Sequence, residues 1–256
     1  MEEKIRKIAK KLKNGGKNII FTGAGISTES GIPDYRSKGG IWDKFRPVYF
    51  DEFMSSKASR EEYWRRWVEL YGGPLKAKPN AAHSAVADMC AEGLIDAVIT
   101  QNVDGLHHAS GVPEDSIIEL HGNTTRIRCM HCHEMTPTEA VWDRLTLGDT
   151  APECSCGGYL KPDTISFGQS MPVAEVERAQ QLSQSCDFFV VVGSTLLVQP
   201  AAHMPFYAKR NNAFLAIVNL SETPCDDMCD VLVQESAGKA LPAIFRAVTE
   251  NTPPEM

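Results

Sequence analysis

The chain has 256 residues, 43% apolar and 23% charged, which excludes a disordered polymer and sets a length suited to one or two domains. Lys and Arg number 26 against 33 Asp and Glu, a net charge of −7; that excludes a cationic nucleic-acid coat while leaving room for a local anion pocket. No run of roughly eighteen apolar residues occurs, so no spanning helix and no membrane partner is expected.

The amino terminus is charged throughout and lacks the apolar stretch of an export signal, which predicts a cytoplasmic protein. In a reducing compartment the eight cysteines are expected as ligands or buried thiols, not disulfides. Ile5, Ile8, Ala9 and Leu12 recur at helical spacing and predict a helix over 3–13, stopped by Asn14-Gly15-Gly16. A strand over 18–22 then runs into Gly23-Ala24-Gly25-Ile26-Ser27-Thr28. Glycines permit a tight turn there, and backbone N–H groups at a helix start can cradle a pyrophosphate. The third glycine of the dinucleotide pattern is replaced by Thr28, so a plain turn is an equal reading. Next, Gly31-Ile32-Pro33-Asp34-Tyr35-Arg36 sets an acid, a ring and a guanidinium beside the loop. Arg36 is suited to phosphate, and Tyr35 to covering a ring or shielding a reactive carbon from water.

Helices are predicted over 60–71 and 81–92, and a strand over 97–100. The strand ends in Gln101-Asn102-Val103-Asp104-Gly105-Leu106-His107. Ligands of parallel sheets bind at the carboxyl ends of strands, so Gln101, Asn102 and Asp104 are expected in the crevice of the glycine loop. Helix caps are the competing reading for Asn102 and Asp104. After Ile117-Ile118 comes Glu119-Leu120-His121-Gly122, where His121 is a candidate general base or a structural histidine.

Residues 129–160 break this rhythm and predict a small inserted module with little room for a core. Cys129-Met-His-Cys132 and Cys154-Ser-Cys156 suit a tetrahedral zinc site closed by four thiolates, hence structural. The second pair is one residue shorter than in ordinary ribbons; His131 and His133 are substitute ligands, and four free thiols are the bland alternative. Beyond the module the pattern predicts a helix over 173–185, a strand over 188–192 leading to Gly193-Ser194-Thr195, and a helix over 200–211. Strands over 214–218, ending at Asn219, and 231–233, a helix over 239–249 and a loose tail from 251 complete it. Short apolar strands alternating with amphipathic helices predict an α/β fold, a parallel sheet covered on both faces.

GAGIS, GIPDYR, TQNVDGLH, ELHG, the paired cysteines, Phe167-Gly168, GST and Val218-Asn219 occur in this order from about residue 4 to about 247, and together they resemble the sirtuins, Sir2-like NAD-dependent protein deacylases of the bacterial or archaeal single-module type. The resemblance implies one catalytic unit. Its large Rossmann-like part would comprise about 1–36, 81–125 and 165–250; its small part a helical insertion, about 37–80, and a zinc ribbon, about 126–164. It also implies NAD as co-substrate, structural zinc on Cys129, Cys132, Cys154 and Cys156, and an acyl-lysine peptide or protein as partner to a monomer. On the same likeness Gly23, Ala24, Gly25, Thr28, Tyr35 and Arg36 line the first part of the NAD site. Gln101, Val103 and Asp104 surround the ribose and nicotinamide, and Gly193, Ser194, Thr195, Asn219, Leu220 and Ala237 hold the adenosine half. His121 would be the base, Asn102 would orient water or ribose hydroxyls, and Thr164–Gly168 would pair with the peptide as an added strand. Products would be free lysine, nicotinamide and O-acyl-ADP-ribose.

Trp67 and Leu70 fall where sirtuins specific for succinyl or malonyl groups carry Tyr and Arg, implying an apolar acyl pocket; a slip in that register would bring in Arg65 or Arg66, and a plain core role for Trp64 and Trp67 is the alternative. Two further functions share these residues: mono-ADP-ribosyl transfer or NAD hydrolysis at the same site, and a non-catalytic NAD-sensing or zinc-ribbon binding module.

Overall fold

The computed structural model describes residues 1–14, 16–35, 39–71 and 77–250. Its strands are β1 (Asn18–Thr22), β2 (Ala97–Thr100), β3 (Ile117–Glu119), β4 (Gly122–Cys129), β5 (Met135–Pro137), β6 (Leu160–Thr164), β7 (Phe188–Val192), β8 (Phe214–Val218) and β9 (Val231–Val233). The helices are α1 (Glu2–Lys13), α2 (Ile41–Lys44), α3 (Phe50–Ser55), α4 (Lys57–Tyr71), α5 (Ala81–Ala91), α6 (Leu106–Ala109), α7 (Thr138–Thr146), α8 (Val173–Ser185), α9 (Met204–Arg210) and α10 (Ala237–Glu250).

Six strands form one sheet in the order β3-β2-β1-β7-β8-β9, every pair parallel. Their apolar runs lack alternation because both faces are covered. Ile20, Val98, Val190 and Val218 point into a core shared with Ile5 and Ile8 of α1, Val86 and Met89 of α5, and Leu241 and Ile244 of α10. Ile19, Phe21, Ile99, Val191 and Ile217 point the other way, against Ala179 of α8 and Met204 and Ala208 of α9. Strand order reverses between β1 and β7, and in open parallel sheets that reversal leaves a crevice above the carboxyl ends.

A second, three-stranded antiparallel sheet, β5-β4-β6, carries the cysteine module. The module has a core of its own, contrary to the sequence expectation. Ile127, Val141 and Leu160 pack around Trp64 and Trp67 of α4, with Trp142 alongside. That core was invisible in residues 129–160 because α4 supplies its largest side chains from far upstream. Two other local expectations change. The glycine loop enters two single 3-10 turns, Ala24–Ile26 and Thr28–Ser30, instead of an α-helix. The helix predicted over 200–211 is a 3-10 turn, Ala201–His203, followed by α9.

Candidate functional site

At the reversal point the loops after β1 and β7 are in contact. Gly23 N donates to Val192 O at 3.0 Å and Gly25 N to Gly193 O at 2.8 Å. A Cβ on Gly23 would lie 2.8 Å from Gly193 O, and one on Gly25 2.8 Å from Gly193 Cα. These glycines therefore let two loops close on each other, a requirement distinct from backbone approach to a phosphate.

The contact forms one wall of a cleft of about 1070 Å³. Gly23, Ala24, Gly25, Thr28, Tyr35, Gln101, Asn102, Val103 and His121 line it, as do Gly193, Ser194, Thr195, Asn219, Leu220 and Ala237. The structure thus brings together residues from five strand ends. Arg36 lies outside the described residues. Asp104 is the exception among the rest: it is buried and not on the cleft surface, because its oxygens accept from Ser27 Oγ at 2.7 Å and from Leu106 N at 2.9 Å. It holds the first N–H of α6, just before the Gly105 cap, and anchors Ser27; only the carboxylate's remaining lone pairs are left for a ligand.

Asn102 is held from two sides. Its Nδ2 donates to Gly23 O at 3.2 Å and to Ser27 Oγ at 3.1 Å, and its backbone N donates to Thr100 Oγ1 at 3.0 Å. A carbonyl can only accept, so the amide nitrogen must face Gly23 and Oδ1 is left as the acceptor. Gln101 Nε2 donates to Ser194 Oγ at 2.8 Å, tying the β2 loop to the β7 loop.

His121 has its Nδ1 at 2.9 Å from the Gln101 carbonyl. The same one-way argument puts the proton on Nδ1 and leaves Nε2 as a base. Burial pushes its pKa below the usual histidine value, while the Gln101 carbonyl pulls it up. The ring is therefore neutral at pH 7. Behind this layer lies a buried polar network that sequence reasoning missed. Ser27 Oγ approaches His83 Nε2 at 3.5 Å, Thr22 Oγ1 bonds Thr100 Oγ1 at 2.8 Å and His107 Nε2 at 3.0 Å. Thr124, from β4, donates both N and Oγ1 to Val103 O at 2.8 Å. Asn80, which caps α5 and precedes His83 by three residues, was the one local signal for this layer.

The segment expected to receive a peptide, Thr164–Gly168, also lines the cleft. Only Thr164 belongs to a strand. Ile165 N donates to His121 O at 2.9 Å, and the chain turns at Phe167-Gly168 with Gln169 Oε1 accepting from Ser166 N. From α4, Tyr63, Arg66, Trp67 and Leu70 face the cleft. Trp67 serves both cleft and core, whereas Trp64 is core alone. Arg65 is half exposed and pairs with Glu62 and Glu69; Arg66 is engaged by Glu62.

The four module cysteines converge, every Sγ within 4.8 Å of the others. Cys129 Sγ lies 3.5 Å from Cys156 Sγ, and Cys132 Sγ 3.8 Å from Cys154 Sγ. A tetrahedron with metal–sulfur bonds of about 2.3 Å has edges of about 3.8 Å, so the set fits zinc. Backbone N–H groups of His131 and Gly158 donate to Cys129 and Cys156 sulfurs, as thiolates require. The shortened pair is accommodated by Gly158, where a Cβ would lie 2.6 Å from Cys129 Sγ. Neither His131 nor His133 is in the convergent group.

Among the described residues no helix is long and apolar enough to cross a membrane. Residues 23–200, more than half of the chain, match the model of the Sir2 family. An NAD-dependent protein deacetylase of Bradyrhizobium diazoefficiens is 46% identical over 87% of this chain and 88% of its own. An NAD-dependent protein deacylase of Archaeoglobus fulgidus is 38% identical over 97% of both chains. Among solved structures, a Sir2 enzyme superposes with a TM-score of 0.87 at 37% identity, covering 98% of this chain and 100% of that one. A Sir2 complex with a p53 peptide and NAD+ gives 0.84 at 35% identity, over 94% and 97%.

Proposed function

The chain belongs to the Sir2 family, and from that premise we propose that its cleft removes acyl groups, acetyl foremost, from protein lysine in an NAD-dependent reaction releasing nicotinamide and O-acyl-ADP-ribose. The observation that carries the assignment of roles is the Nδ1–H of His121 held on the Gln101 carbonyl, which leaves a neutral Nε2 in the cleft. Bound across the switch point, NAD supplies a glycosidic bond whose carbon becomes electrophilic as nicotinamide departs. The chain's residues do the rest. The β1 and β7 loops, with Thr28, Ser194 and Asn219, supply donors and acceptors for the dinucleotide. Asn102 presents Oδ1 to a ribose hydroxyl or water, its amide fixed by Gly23 and Ser27. His121 Nε2 takes the hydroxyl proton when the acyl carbon is attacked, a role worth about 10²–10⁴ in rate. Tyr35 keeps water from the reacting carbon.

Zinc on the four cysteines is closed by protein thiolates, so its part is structural: it joins the end of β4 to the loop before β6. The division into a large dinucleotide part and a smaller ribbon-plus-helix part accords with the two sheets and with the core that α4 shares with the ribbon. For the acyl group, Trp67 and Leu70 favour an uncharged chain, since Arg66 is already engaged by Glu62. The partner in this reading is an acyl-lysine peptide met by a cytoplasmic monomer; with a net charge of −7 it gives no role to nucleic acid. Mass spectrometry tests the assignment. Wild type with NAD and a panel of acyl-lysine peptides should yield lysine and O-acyl-ADP-ribose, and His121→Ala should not. Nicotinamide release at equal rate without any acyl-lysine would instead mark an NAD hydrolase, and turnover unchanged in His121→Ala would remove the base.

A further inference from the structure

Four aromatic side chains form a continuous row, and three of them, Tyr35, Trp42 and Phe167, line the cleft. Tyr35 meets Trp42 at a centroid distance of 5.7 Å, Trp42 meets Phe167 at 5.7 Å, and Phe167 meets Tyr49 at 5.9 Å. The row joins two segments with different tasks. Tyr35 follows the glycine loop, while Phe167 sits in the cleft-lining segment Thr164–Gly168, which the reading above gives to the peptide.

Backbone bonds fix both ends of the connection. Ile41 N donates to Asp34 O at 2.9 Å and Trp42 N to Tyr35 O at 3.1 Å; at the other end Phe50 N donates to Phe167 O at 2.9 Å. The stretch carrying α2 and the start of α3 is thus stapled to Tyr35 on one side and to Phe167 on the other, with Trp42 the ring that touches both. Phe167 is 42% exposed, so a ligand laid along its segment would cover it and restrict it. Restricting one ring of a packed row biases the next, because neighbouring rings favour particular mutual orientations.

We propose that Trp42 is a positioning residue that couples occupancy of the peptide segment to the placement of Tyr35 over the dinucleotide site. This rests on the deacylase reading above. In this arrangement a bound acyl-lysine peptide seats Phe167, Phe167 seats Trp42, and Trp42 sets Tyr35. Coupling between sites is reciprocal, so peptide tightens dinucleotide binding by the factor by which dinucleotide tightens peptide binding.

The test uses the full zinc-loaded chain and a carbocyclic NAD analogue whose nicotinamide bond cannot break. Calorimetric titration with and without saturating acetyl-lysine peptide gives the coupling factor. In wild type the peptide should tighten the analogue. Trp42→Ala should lower that factor by roughly 2- to 10-fold, toward unity, the range set by losing aromatic pair contacts. Trp42→Phe, which keeps a ring, should restore most of it, and nicotinamide release from NAD without peptide should rise in Trp42→Ala alone. Trp42→Leu gives the same readout if the alanine variant does not fold. A coupling factor unchanged in Trp42→Ala or Trp42→Leu overturns the proposal while leaving the deacylase reading intact; so does a wild type that binds analogue and peptide independently. A wild type that binds no analogue under any condition removes both.

Discussion

Gly25 N donates to Gly193 O at 2.8 Å across the point where the strand order of the main sheet reverses. Gly193 has φ +62°, a left-handed conformation, and a Cβ there would overlap the backbone of Gly25 and Ile26. No flexible side chain is available to move aside. Gly193→Ala should therefore destabilise the fold by about 1–3 kcal/mol and part the two loops. Thermal melting and titration with an NAD analogue measure the two effects together. A variant that melts and binds like wild type would show that the loops are free to separate.

His121 carries a directional prediction for pH. Burial holds its pKa below the usual value of about 6.5, so the base form persists to lower pH than for a free imidazole. The acid limb of kcat/KM should thus fall below pH 6.5. His121→Ala should lose about 10²–10⁴ in kcat. An acid limb centred well above 6.5 would mean that another group supplies the base.

The metal prediction follows from the four sulfurs and the core beside them. Cys156→Ser should lower bound zinc to well below one ion per chain, because Sγ of Cys156 is one vertex of the set, 3.5 Å from that of Cys129. Loss of zinc should also disturb Trp64, Trp67 and Trp142, which pack with Ile127 of β4, the strand that ends at Cys129, and with Leu160, which opens β6 just after Cys156. Zinc analysis by atomic emission and near-ultraviolet circular dichroism report the two consequences. Unaltered zinc content would take Cys156 out of the ligand set.

The main sheet was legible because its strands are buried on both faces: Phe188–Val192 and Phe214–Val218 are nearly pure apolar runs. Polar clusters at their ends were legible for the complementary reason, that parallel sheets put ligands there. β4 was not. Its sequence, Gly122–Cys129, is half polar, and both Arg126 and Arg128 are paired with Asp163 on β6, a partner more than thirty residues further along the chain, while Arg126 also meets Glu119 on β3. α7 was hidden inside a stretch dominated by cysteine spacing. The buried layer under Asn102 was hidden for the same reason as β4: Ser27, His83 and His107 come from three separate segments, and no local pattern announces their contact.

That layer sets the last prediction. Thr22 Oγ1 gives its one proton to Thr100 Oγ1, so it must accept from His107 Nε2. The His107 proton is therefore on Nε2, and Nδ1 is buried with no hydrogen-bond partner. Burial, followed by the neighbouring His83 and His108, pushes the pKa of His107 down to about 3. In the unfolded chain the same residue takes up a proton near pH 6.5. Between these values the unfolded state binds the extra proton, so the stability tied to neutral His107 is whole above pH 6.5 and erodes as pH falls, by about 1.4 kcal/mol per pH unit. His83, whose pKa burial also lowers, works in the same direction. His107→Asn keeps a donor for Thr22 but has nothing to titrate. Urea unfolding at pH 7, 6 and 5 should then show a shallower loss of stability in the variant than in wild type, even if the variant is less stable at pH 7. Parallel curves for the two proteins would mean that His107 protonates without unfolding the chain, and that the contact with Thr22 yields to charge.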